Sequence, residues 1–492
     1  MASKKLYNWY CAMVAALCMV LYGYDASVFN SLQGSDNWFE WVNMDPVEDT
    51  YMLGLINTSY TIGAIISGFF MGGPLADYMG RRWGMFIGCF ITIIATFMQT
   101  FTPHHQIGVF IAGRVLIGIG QGLALTAAPV YIGEVAPANI RGKVMTIWQM
   151  NYSVGSFIAY WINYACSNNR EGMGQWDWKM VVIFQILVPA IVCLSVLWIP
   201  ETPRWHIQKN GNVEAARAAL TRIRETEQEV EEELLAIRGA IDGISYSALF
   251  KDPSVRKRII LAFLLNIGQQ LSGQGTLNSY STTIYKNVWS DKKKINLINA
   301  LNATFGIIFT LNAMWTSDRY GRRWLLMVGA VGMGVCMLIV AVVGLETPTF
   351  EGNVKSESVG IAIVFLFFLF AFFYKPSWGA TVWMWTAEVF SMNIRAQAVG
   401  MCSQMQNRDS SVSSSSWPST FCLAAYVYFF IPETKQVPLE EIDTLFGGAS
   451  HAAKGGDMLE EKAAVESAAH PSGLEIENTS EPKKVNTKEQ TV

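Results

Sequence analysis

The sequence predicts an all-α membrane protein built from two related bundles of six helices. Three observations carry this. Hydrophobic residues make up 51% of the chain and charged residues only 15%, with a mean hydropathy of +0.25, a balance foreign to soluble domains of this length. Runs such as 87–101, 181–199 and 325–345 hold no Asp, Glu, Lys or Arg. Three short charged motifs also recur in the same order in both halves.

An apolar helix needs about 20 residues to cross the hydrocarbon and must satisfy its own backbone hydrogen bonds there. On that ruler, spans fall near 10–30, 51–73, 84–101, 108–129, 145–165 and 180–199, then near 259–281, 296–316, 324–345 and 358–386. The interval 396–431 resists assignment. The N-terminus offers no small-residue cleavage site after its apolar run, so the first span is expected to be retained. The arginine-rich junctions at Arg81/Arg82, Arg141/Lys143, Arg319/Arg322/Arg323 and Arg395 belong on the cytoplasmic side. Lys286 and Lys292 to Lys294 fall on the outer side as an exception. Units of 1–203 (six-helix bundle), 204–257 (cytoplasmic linker), 258–446 (second bundle) and 447–492 (tail) follow. Mixed charges at helical spacing over 213–241 predict amphipathic helices lying under the bundle. The tail's composition predicts disorder.

The repeats define the architecture further. Gly73-Pro-Leu-Ala-Asp77-Tyr-Met-Gly80-Arg81-Arg82 follows the second span, and Asp318-Arg319-Tyr-Gly321-Arg322-Arg323 the eighth. Glu134 with Arg141 closes the fourth span, and Glu388 with Arg395 the tenth. Pro200-Glu201-Thr202 and Pro432-Glu433-Thr434 end the sixth and the last. Parallel repeats of this kind imply two bundles about an axis along the membrane normal, with a site between them near the midplane. Glycine permits the tight turn, and the arginines can fork onto Glu134, Glu201, Glu388 and Glu433. Making and breaking those pairs would bias the bundles between two states. Plain loop charge accounts for one copy, but poorly for six in order.

Together with Gly113-Arg114-x3-Gly118-x-Gly120-x-Gly122, Pro129-Val-Tyr131-x2-Glu134 and Gln269-Gln270-Leu-Ser272-Gly273, these motifs resemble the sugar porter family of the major facilitator superfamily, over about residues 8–446. Gly23-Tyr-Asp-Ala-Ser-Val-Phe-Asn30 is similar to fungal members, including the lactose-permease-like branch. The resemblance implies a multi-pass porter, at the plasma membrane, taking a sugar such as a hexose or lactose by alternating access. It implies proton coupling through Asp25, an ionisable group inside the first span, paired with Arg114. It implies sugar contacts from Gln149, Gln269, Gln270, Asn278 and Trp383, and gating by Asp77, Arg81, Arg82, Glu134, Arg141, Glu201, Asp318, Arg322, Arg323, Glu388, Arg395 and Glu433. A static ion pair for Asp25 and a helix-bridging role for the amides stand as the plainer alternatives. Gly275 and Gly306 stand where asparagine is usual, and Lys375 where a carboxylate or neutral residue is. Such a cavity, widened and cationic, would suit a larger solute, a disaccharide among them.

The repeat also measures a deficit. Glu134 to Glu201 covers 67 positions and Glu388 to Glu433 only 45, a difference of 22, about one crossing. A polar, serine-rich stretch at 408–420 interrupts the eleventh span. A splice error, frameshift or deletion would produce this, and a truncated product without transport is one outcome. Other readings are a proton-independent facilitator, a carrier of another polyol or quinate-type solute, and a transporter-like nutrient sensor. A net charge of −3 offers no basic face for nucleic acid. The eight cysteines lack metal or redox spacing. No catalytic set, cofactor or metal is expected, and a monomer in the lipid bilayer is.

Overall fold

A computed structural model describes residues 2–45, 48–168, 170–241, 253–286, 288, 289, 291–346, 356–390, 416–434 and 446. Among them, eight helices are long and apolar enough to cross a membrane; the fifth and the broken seventh of the ten that follow are predicted spans outside those eight. The first six spans are Ala2–Leu32, Thr50–Ile66 continued through a π-turn into Gly73–Met79, Arg81–Thr100, Ile107–Val135, Ala138–Asn168, and Trp176–Ile183 continued by a 3₁₀ turn into Leu187–Val196. The second set holds Pro253–Leu271 with Gln274–Lys286, Lys292–Tyr320, Arg322–Glu346, and Glu357–Tyr374 continued through a π-turn into Val382–Val389. Every predicted span falls on a helix, and most helices overrun the hydrophobic stretch by several residues at the arginine-bearing end.

Outward-facing aliphatic and aromatic side chains mark the lipid contact. On the ninth span Val328, Val331, Val335, Ile339 and Val342 are exposed at helical spacing, and on the third Phe90, Ile94 and Phe97. Inward, each bundle has its own core. Met85, Tyr131 and Trp148 centre the first, and Leu326, Trp378 and Trp385 the second. Close packing of the third and fourth spans depends on Gly88 and Gly120. A Cβ on either would lie 2.5 Å from the other's carbonyl oxygen, so a side chain at either position would force the helices apart.

The two halves repeat down to single hydrogen bonds. Gly80 and Gly321 both take left-handed φ, +104° and +89°, which lets the chain turn sharply into the next span. Glu201 then accepts from Arg81 N and Arg82 N at 3.0 and 3.1 Å. Glu433 accepts from Arg322 N and Arg323 N at 2.9 and 3.0 Å. Arg82 donates to Leu197 O and Arg323 to Tyr428 O. A carboxylate from the end of one span thus caps the N-terminus of another, where orphan N–H groups and the helix dipole favour negative charge.

Three amphipathic helices, Pro203–Asn210, Val213–Ile223 and Glu227–Ile241, follow the sixth span. Ala216, Leu220 and Ile223 bury their apolar face in the first bundle's core, while Asn8 Nδ2 and Lys4 Nζ tie the first span to the carbonyls of Ile223 and Arg224. The helix Ser416–Phe430 packs on the ninth span, and it begins five residues before porter-like sequence resumes at Phe421. Residues 408–415 of the serine-rich interruption, Arg395 and the tail beyond Phe446 lie outside the described residues, so the region of the expected deficit, 408–431, is described only from Ser416 onward.

Candidate functional site

The first, second, fourth and fifth spans of one half and the seventh, eighth and tenth of the other surround a cavity between the bundles, and local breaks shape its wall. The seventh span stops at Leu271 and restarts at Gln274 across Gly273, whose φ is +89°. In the tenth, the π-turn Lys375–Thr381 inserts extra arc. Eight residues of ideal α-helix would leave Lys375 and Trp383 roughly 80° apart, whereas the wider turn brings both onto the cavity. Such bulges recur at functional sites.

All five residues expected to meet the solute line this cavity, which encloses about 940 Å³ including its mouth. Gln269 donates to Trp378 O at 2.6 Å, which orients its carboxamide, and its Oε1 is buried without a partner among the described residues. Gln149 Oε1 is in the same condition. Asn278 donates to Tyr152 Oη at 3.0 Å and accepts from Gln274 at 2.8 Å. Gln270 lies beside Gly275. Trp383 packs against the first bundle's core from the second bundle's tenth span. A second chamber towards the outer side shares Gln274, Asn278 and Lys375 with the first.

Asp25 is fully buried beside this cavity. Gln185 donates to its Oδ1 at 2.6 Å, and Gln121 donates to its Oδ2. Gln121 in turn accepts from Tyr60 Oη at 2.5 Å. Arg114 lies against the faces of Tyr60 and Phe29 at 5.1 and 5.5 Å, and its charge acts on the Asp25 carboxylate. The sequence reading missed Gln121, Gln185 and Tyr152. Gln185 had a signal, as the one amide in the charge-free run 181–199; Gln121 sits inside the glycine motif and was masked by it.

A profile of the family described as "Sugar (and other) transporter" matches residues 11–414. The chain belongs to this transporter family. Probable quinate permeases of Aspergillus clavatus and Aspergillus niger are each 29% identical to it, covering 90% of this chain and 89% of theirs. Its fold matches the proton:xylose symporter XylE bound to 6-bromo-6-deoxy-D-glucose, with a TM-score of 0.75, 23% identity, and coverage of 89% of this chain and 99% of that one. The inward-open xylose transporter XylE from E. coli gives a TM-score of 0.69 at 23% identity, over 89% and 99%.

The transporter's two ends differ. On the outer side, the first span is latched to the seventh: Asn30 donates to Ser281 Oγ at 2.7 Å and accepts from Thr282 N at 3.0 Å, and Gln33 donates to Ser279 O at 2.8 Å. Of the outer lysines that break the charge rule, Lys286 and Lys292 belong to this latch, while Lys294 pairs within the second half. Lys286 donates to Gln33 O, Lys292 pairs with Asp36, and Lys294 with Glu357.

On the opposite side, Arg81 bridges Asp77 and Glu134, both at 3.3 Å. The expected arginine fork onto Glu201 takes another form. The Glu201 carboxylate meets the backbone N–H groups of Arg81, Arg82 and Thr202, because the tight turn at Gly80 presents N–H groups rather than guanidinium. Glu433 makes the matching backbone contacts. Burial pushes the Glu201 carboxyl up to about 7, against the pull of those N–H groups and of Arg81. The side chains of Arg141, Asp318 and Glu388 lie outside the described residues.

The widened cavity expected at Gly306 is also corrected. A Cβ there would touch Lys375 Cε at 3.4 Å. The two departures compensate: the missing side chain makes room for the lysine.

Proposed function

We propose that the chain carries a small polyhydroxylated solute together with a proton by alternating access through this cavity. The observation that carries the reading is the meeting of Gln149, Gln269, Gln270, Asn278 and Trp383, drawn from both halves, around one space. Two of their carboxamide oxygens face no donor among the described residues. Buried acceptors left empty are costly, and solute hydroxyls would fill them. The Trp383 indole offers an apolar face to the ring's C–H surface.

Asp25 serves as the proton site. Its carboxylate is held by two amides and by the Arg114 charge; protonation weakens that hold and frees the first and fourth spans to shift. Asp77, Arg81, Arg82, Glu134, Glu201 and Glu433, with Arg141, Asp318, Arg322, Arg323, Glu388 and Arg395 by repeat, form the inner latch, and the Asn30–Gln33 belt forms the outer one. Residues 1–203 and 258–446 move as the two bundles, joined by 204–257, in a monomer at the plasma membrane. Relatives named quinate permeases favour a single-ring polyol over the disaccharide expected from the lactose-permease-like wording.

The test is uptake of radiolabelled D-glucose and quinate by the purified full-length chain in proteoliposomes, with and without an imposed pH gradient. Uphill accumulation that collapses with a protonophore supports the reading. Equilibration without accumulation would leave a facilitator, and no saturable uptake would overturn porter function for this chain.

A further inference from the structure

We propose that Lys375 is a carboxylate-binding residue and that the preferred solute is a polyhydroxylated monocarboxylate, a ring polyol bearing one acid group. This rests on the polyol-porter reading above and specifies the solute class. Lys375 lies on the tenth span's π-turn and lines both chambers of the central cavity. Its ammonium is 3.3 Å from Ser153 Oγ and 5.2 Å from the centre of the Tyr152 ring. The room left by Gly306 accommodates its stem.

What surrounds it is polar but uncharged. No Asp or Glu is among the residues lining either chamber, and Lys375 has no carboxylate within ion-pair distance among the described residues. Among the described residues, the only other cation lining the first chamber is Arg114, which already acts on Asp25. A cation held at membrane depth without a counter-charge is expensive. One hydroxyl and one aromatic face offset only part of that cost. Three donors on a flexible stem suit an anion brought by the ligand. The neighbouring groups then suit the rest of such a molecule: Gln149, Gln269 and Asn278 meet hydroxyls, and Trp383 the ring. One acid group fits because one unpaired ammonium is available.

The experiment is calorimetric binding to the purified full-length protein of quinate, of its neutral methyl ester and of D-glucose. It compares wild type, Lys375→Gln and Lys375→Arg. A charge-assisted bond is worth roughly ten- to a hundredfold in affinity, so wild type should favour quinate over the ester by about tenfold or more. Lys375→Gln should bring that ratio to about one while D-glucose and ester affinities hold within about threefold, and Lys375→Arg should keep most of the preference. An ester bound as well as quinate by wild type, or a preference that survives Lys375→Gln, overturns the assignment. D-glucose binding separates the two claims. If it binds with no acid preference, the porter reading stands and the carboxylate site falls. If no polyol of either kind binds wild type, both fall.

Discussion

Replacing Asp25 by asparagine is the sharpest perturbation of the coupling machinery, because the structure dictates how the new amide must sit. Gln121 Oε1 already accepts from Tyr60, so Gln121 must keep donating, and the oxygen of the introduced amide has to face it. The nitrogen of that amide then faces Gln185, whose Oε1 is buried and unpartnered and becomes an acceptor after a carboxamide flip. The pocket therefore survives with both bonds remade but without charge assistance. The loss is about 1 kcal/mol per bond, the difference between bonds to charged and neutral groups. Among the described residues, that pocket then holds no carboxyl group to take a proton. A gradient of one pH unit is worth about 1.4 kcal/mol per proton, hence up to about tenfold accumulation. Wild type in proteoliposomes should approach that ratio, and Asp25→Asn should stop at about one while solute counterflow continues. Accumulation by Asp25→Asn would refute the coupling role, and loss of counterflow in a folded variant would assign Asp25 to structure instead.

Three further outcomes follow from the geometry. Gln269→Ala removes an empty acceptor and a tether to the tenth span, and should raise KM about five- to tenfold, a cost of about 1 kcal/mol, with unchanged protein yield as the control. Asn30→Ala breaks the latch bonds to Ser281 and Thr282, worth about 2 kcal/mol together, so hydrogen exchange over 278–286 should accelerate by roughly 30-fold; unchanged exchange would show that the latch does not close the outer side. Burial holds Glu201 protonated up to about pH 7, so between the ordinary carboxylate range and pH 7 the folded protein keeps a proton that the unfolded chain has released. Its contribution therefore lowers stability as pH rises through that window, and Glu201→Gln should flatten the fall of Tm between pH 5 and 8; an unchanged slope would contradict this.

The architecture was legible because it is written in long-range period and repetition. Spans follow from charge-free runs, and the bundle relation from Glu201 and Glu433, whose matching caps are backbone bonds that sequence alone could not specify. Gln149, Gln269, Gln270, Asn278 and Trp383 were found through motif position, and all reach one cavity. Geometry that depends on a local break was harder to read. The π-turn that places Lys375 on the cavity wall leaves little trace in composition, so its stem was not matched to Gly306. Gln121 and Gln185 were missed because an amide's role depends on which carboxylate its rotamer reaches. The outer lysines looked like exceptions to a charge rule until Asp36 and Glu357 were found opposite them.

The central claim, proton-coupled movement of a polyol through the cavity between the bundles, is tested most directly by recording internal pH in voltage-clamped proteoliposomes when solute is added outside with no gradient imposed. Saturable internal acidification at a fixed ratio of protons to radiolabelled solute, absent in Asp25→Asn, is the predicted result. Solute entry at the wild-type rate with no change in internal pH would contradict it.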